Sequence, residues 1–173
     1  PHLLIRSTPQ GRTALHHAVA SRLTFHYQDR TGTISCWYNG KRIPRVKDAG
    51  GSRQFFRIGR FFLKCEPGNE HNNQCKDEVY VHSRIEDRDK QYFTPLQACS
   101  PMGDTDTVHW AMFRWVILTE HPTFGPIYDV CRSQVNRLCD RYQISDVAPY
   151  MNHNWFIHHG KPLIVDCGII RGH

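Results

Sequence analysis

Cys65, His71 and Cys75 place two thiols and an imidazole in the order C-x5-H-x3-C. Thiolate sulfur and neutral imidazole nitrogen are the ordinary donors of a tetrahedral zinc site. Cys36, Cys99 or His82 could supply a fourth ligand. The close cysteine pair of a zinc finger is missing, so the alternative reading is three side chains of a polar loop that bind nothing. Zinc is the one cofactor these residue types suggest.

A second group lies near the C-terminus. His153, His158 and His159 stand close in sequence to Asn152, Asn154 and Asp166. A histidine beside a carboxylate can act as a general base. Histidine, asparagine and a metal ion together are working parts of small hydrolytic nuclease sites. A strand over 155–158 would turn His158 and His159 to opposite faces. The Asp166-Cys167-Gly168 tripeptide reads as a turn at a strand end.

The third group is basic and aromatic. From Lys41 to Lys64 there are eight basic residues against one acid, a local charge of +7 in a chain whose net charge is +6. Arg42, Arg45, Arg53, Arg57 and Arg60 could grip phosphates in bidentate geometry. Trp37 and Tyr38 could stack on unpaired bases. On one sheet face these residues would make a nucleic-acid surface of weak sequence preference and strong salt dependence. The alternative is that the aromatics fill a core and the arginines solvate its outside.

The order Cys36, His153, Asp166 slightly resembles the nucleophile, base and orienting acid of papain-like proteases. The likeness covers isolated residues only. In that family the cysteine opens a long helix, whereas Cys36 precedes Tyr38-Asn39-Gly40, a turn signal. Phosphate loops of the GxxxxGK type, GxGxxG dinucleotide loops, HExxH, GxSxG and EF-hand loops are absent.

These residues need elements to hold them. The spacing of Ala14, Leu15, Ala18, Val19 and Leu23 predicts a helix capped by Thr13. Residues 3–5 and 33–38 read as strands, the latter followed by the Asn39-Gly40 turn and a short returning strand cut by Pro44. Residues 54–63 read as one aromatic strand with Gly59 as a bulge or close approach. The alternation of 78–85 predicts a strand. Residues 108–119, apolar on nearly all sides, suit a central helix, with a long buried strand as the alternative. Ile127, Cys131, Val135, Leu138 and Tyr142 mark a helix from about 128 to 142. Pro162 opens a last strand ending near Gly168.

The expected class is α+β, a largely antiparallel sheet packed against two or three helices. At 173 residues and 39% hydrophobic composition, a single compact domain over 1–173 is expected. No apolar run is long enough for a membrane helix. Seven dispersed cysteines suit buried thiols in a reducing, intracellular setting better than a fully paired secreted framework. The leading functional expectation is a basic domain that binds nucleic acid or another polyanion. Beside it stand a histidine- or metal-dependent hydrolase, nucleases included, and a structural subunit with a protein partner and no chemistry.

Overall fold

The computed structural model describes residues 2–6, 10–11, 13–46, 53–68, 73–103, 108–145 and 154–168. The fold is α+β, with antiparallel sheets and three helices among these residues. The chain divides into two compact units. One comprises Pro1–Lys76 and Leu96–Trp115, the other Asp77–Pro95 and Val116–His173.

Among the described residues the first unit holds nine strands: β1 (His2–Arg6), β2 (Gln10–Gly11), β3 (Leu23–Gln28), β4 (Thr33–Tyr38), β5 (Lys41–Ile43), β6 (Gln54–Ile58), β7 (Phe61–Pro67), β8 (Leu96–Cys99) and β9 (Val108–Arg114). They form a four-stranded sheet in the order β1-β3-β4-β5 and a five-stranded sheet in the order β2-β8-β9-β7-β6. Helix α1 (Ala14–Ala20) is capped as expected, with Thr13 Oγ1 accepting from the His16 amide.

Alternation along the strands builds the core of this unit. Leu23, Phe25, Ile34 and Cys36 from one sheet meet Phe56, Leu63, Cys65, Trp110 and Met112 from the other. Phe25 stacks on Trp110 at 6.2 Å. Gln54 ties the sheets together: its side chain accepts from the Ile34 amide and donates to the Gly32 carbonyl.

Two expectations are corrected here. Residues 54–63 are not one bulged strand. Gly59, at φ +55°, turns the chain between β6 and β7, and Phe62 pairs with Arg57. Residues 108–114 form strand β9 rather than a helix. This strand lies between β8 and β7, and every residue from Val108 to Phe113 is buried. A strand covered on both faces loses its alternation and resembles a buried helix in sequence.

The second unit contains most of α2 (Gln74–Arg84), a 3-10 turn at Lys90–Tyr92, α3 (Pro126–Tyr142) and the hairpin of β10 (Trp155–His158) with β11 (Lys161–Ile164). Its core joins Val81, Ile85, Phe93, Tyr128, Val135, Leu138, Trp155 and Ile164. Helix α3 starts with Pro126, where the missing amide hydrogen costs no helix bond.

The strand expected at 78–85 is a helix. Cys75, Glu78, Val81 and His82 are its buried positions, spaced as a helix requires, and buried Ile85 follows just past its end. Two of those positions are polar, and that masked the apolar stripe.

Candidate functional site

Two groupings of chemically competent residues arise within the second unit, and one within the first. Glu78 and His82 stand one turn apart on α2, so their side chains leave the same face. Cys167 follows β11. A carboxylate oxygen of Glu78, a ring nitrogen of His82 and the Cys167 sulfur all lie within 4.8 Å of one another. All three residues are buried, at 1%, 7% and 2% exposure.

The second grouping sits at the open end of the β10–β11 hairpin. Asn154 precedes β10 and Asp166 follows β11. The Val165 amide donates to the Asn154 carbonyl at 2.9 Å, and the Asp166 amide donates to the same oxygen at 3.3 Å. One carbonyl thus fixes an amide-bearing and a carboxylate-bearing residue side by side. Asn154 is buried and Asp166 half-buried. Both offer hard oxygen donors, which suit magnesium.

In the first unit, β7 and β9 place Lys64, Glu66 and His109 on the sheet face turned away from the Phe25–Trp110 core. Glu66 pairs directly with His109 across the strands. Lys64, Glu66, His109 and Arg53 are all buried, which is unusual for these residue types. Glu66 accepts from the amides of Gln74 and Cys75 at 3.2 and 2.7 Å, so its carboxylate caps the start of α2. Burial pushes the Glu66 carboxyl above its usual range, against the pull of the Cys75 amide, Arg53, His109 and the Gln74 amide. The Lys64 ammonium lies 4.8 Å from the Phe113 ring centroid.

Comparison with protein-family models, curated proteins and solved structures finds no match.

Of the group read from the sequence, His158 and His159 are not brought together with Asp166. His158 ends β10 and His159 begins the turn, their rings 4.1 Å apart. Asp166 lies beyond the opposite end of the hairpin. Four strand residues at about 3.3 Å each hold the two places roughly 13 Å apart. His153 lies outside the described residues, as does His71 of the expected zinc loop. Of that loop's thiols, Cys65 faces the core of the first unit and the Cys75 sulfur donates to the Lys64 carbonyl. Cys36 is fully buried in β4, and burial pushes its thiol up to about 12, the opposite of an activated nucleophile.

The basic set divides. Trp37 and Arg42 are cross-strand partners on the outward face of the four-stranded sheet, with the guanidinium 6.0 Å from the indole centroid. Arg42 and Arg45 line one depression of about 440 Å³ with Thr33, Ser35 and Phe56. Tyr38 packs against the core instead. Arg57 lies on the outward face of the other sheet, 4.4 Å from the Trp115 ring, and Arg60 occupies the β6–β7 turn beside Phe61. Arg53 is 3% exposed.

The sequence reading gave Glu78 no chemical role and counted Lys64 only toward the charge of the basic segment. It named His82 only as a spare ligand and Cys167 only as part of a turn. A signal for the Glu78/His82 pair was present as the i, i+4 spacing, visible once 74–84 is read as a helix.

Proposed function

We propose that the chain is a magnesium-dependent, nucleotide-handling domain of the phosphoryl-transfer class. The observation that carries this reading is the shared Asn154 carbonyl, which holds Asn154 and Asp166 together at one end of a β-hairpin. Phosphoryl transfer requires little covalent chemistry from the protein. It requires oxygen ligands for magnesium and positive charge for the phosphates.

Chain order supports the same reading. A long helix, then an asparagine before a hairpin and an Asp-x-Gly after it, follow one another along the chain. Protein kinases use an asparagine and an Asp-Phe-Gly aspartate as magnesium ligands. Here Asp166-Cys167-Gly168 stands in the last place. The chain has neither the His-Arg-Asp tripeptide nor the GxGxxG loop of those enzymes, so the acceptor group is left open within the class.

In this reading Asn154 and Asp166 would hold the metal ion, and the ion would supply the positive charge that the phosphates need. The test is calorimetric titration of the chain with ATP and ADP, with and without magnesium. Nucleotide binding that needs magnesium, and that Asp166→Asn weakens at least tenfold while Arg57→Ala does not, is the expected result. Absence of magnesium-dependent binding at millimolar nucleotide, or binding indifferent to Asp166→Asn, would overturn the reading.

A further inference from the structure

We propose that Glu78, His82 and Cys167 are ligands of a zinc ion. The inference is independent of the nucleotide reading. It uses other side chains, and its test contains no nucleotide.

Geometry comes first. One turn of α2 separates Glu78 from His82, the same i, i+4 relation by which helical residue pairs bind zinc in metalloproteases. The segment after β11 brings the third donor. In tetrahedral zinc, with bonds of about 2.0–2.3 Å, donor atoms lie roughly 3.3–3.8 Å apart. The three donor atoms here are all within 4.8 Å of one another, so small side-chain rotations close the set around an ion.

Chemistry then selects the metal. Carboxylate oxygen, imidazole nitrogen and thiolate sulfur form a borderline donor set. Magnesium and calcium reject sulfur and prefer oxygen alone, whereas zinc accepts all three donor types. Charge also balances. The Glu78 carboxylate and a Cys167 thiolate carry two negative charges between them, matching one divalent cation in a buried place where uncompensated charge is costly. Binding converts the Cys167 thiol to a metal-bound thiolate and releases one proton to solvent, so affinity rises with pH. Three protein ligands leave a fourth position for water.

The ion would join Glu78 and His82 to the segment following β11, all within the second unit. That makes it a stabilising pin for this unit. Chelation is then expected to lower the unfolding temperature and added zinc to restore it.

The experiment uses the full chain, stripped with chelator and titrated with zinc and then with cobalt. One equivalent of metal is expected, with a near-ultraviolet thiolate-to-cobalt absorption band. Cys167→Ser is expected to abolish the band, while Cys139→Ser leaves it intact. His82→Gln is expected to weaken zinc binding by more than the roughly 10–100-fold that losing even an outer-shell partner costs. Should Cys167→Ser fail to fold, Glu78→Gln tests the same site through its affinity. No stoichiometric zinc, a thiolate band that survives Cys167→Ser, or unaltered affinity in both His82→Gln and Glu78→Gln would overturn the proposal.

Discussion

At the scale of single residues, buried polar groups carry most of the specific information in this chain. Asp89 accepts from the Tyr142 hydroxyl at 2.7 Å and from Arg141 at 2.6 Å, and the Tyr142 oxygen in turn accepts from the Glu86 amide. Burial pushes the Asp89 carboxyl up, but the bonds from Tyr142 and Arg141 outweigh it and leave it below the usual carboxylate range. A carboxyl lowered on folding stabilises the fold above its unfolded value, about 3.9, and that stability is lost as pH falls through the lower folded value. Tyr142→Phe removes one bond to a charged acceptor and should cost about 1.5–3 kcal/mol at neutral pH. Urea unfolding at pH 7 and pH 3 checks both parts: the variant's deficit should shrink at the lower pH. Tyr142 was legible in the sequence as a member of an apolar helix face, which it is. Its hydroxyl's role was not, because Asp89 lies 53 residues earlier and no periodicity links them.

At the scale of elements, α3 and strand β4 were readable because each has one covered face and one wet one, whereas β3 was not, since its first residue, Leu23, fits the helical spacing of α1. Thr13, Asn39-Gly40 and Pro126 mark element boundaries through backbone chemistry that acts locally. Helix α2 was not readable, since Glu78 and His82 occupy the positions where an apolar stripe is sought. The start of that helix depends on Glu66, which is fully buried and accepts two of its first amides. Glu66→Ala should cost about 1–3 kcal/mol for each amide left unpaired. Glu66→Gln keeps an acceptor and should cost less. The Glu66 carboxyl is raised by burial, so its contribution to stability is full below the unfolded value near about 4.3 and declines as pH rises through the folded one. Glu66→Gln should therefore gain on the parent chain from pH 4 to pH 7, the reverse of the trend at Asp89. A parallel pair of denaturation series measures this directly, and a constant difference across the range would show that the carboxylate charge is not strained.

At the scale of the whole molecule, the sequence shows where charge lies along the chain but not where it lies on a surface. Between Lys41 and Lys64 the strands alternate and the chain crosses from one sheet to the other, so neighbouring arginines leave by different faces. Trp37, Arg42 and Arg45 remain near one another, Arg57 and Arg60 occupy another place, and Arg53 is buried. Each phosphate neutralised on a single strand contributes about −0.7 to the slope of log K against log salt. A short single strand reaching only Arg42 and Arg45 should thus give a slope of roughly −1.4. Five arginines acting on one strand would give about −3.5. Fluorescence anisotropy of a labelled oligonucleotide across a salt series separates these cases. Binding confined to the Arg42–Arg45 place would be mostly lost in Arg42→Ala combined with Trp37→Ala and little changed in Arg57→Ala. A slope near −3.5, or equal losses from Arg42→Ala and Arg57→Ala, would mean that the polyanion reaches both outward faces and that the basic segment acts as one surface.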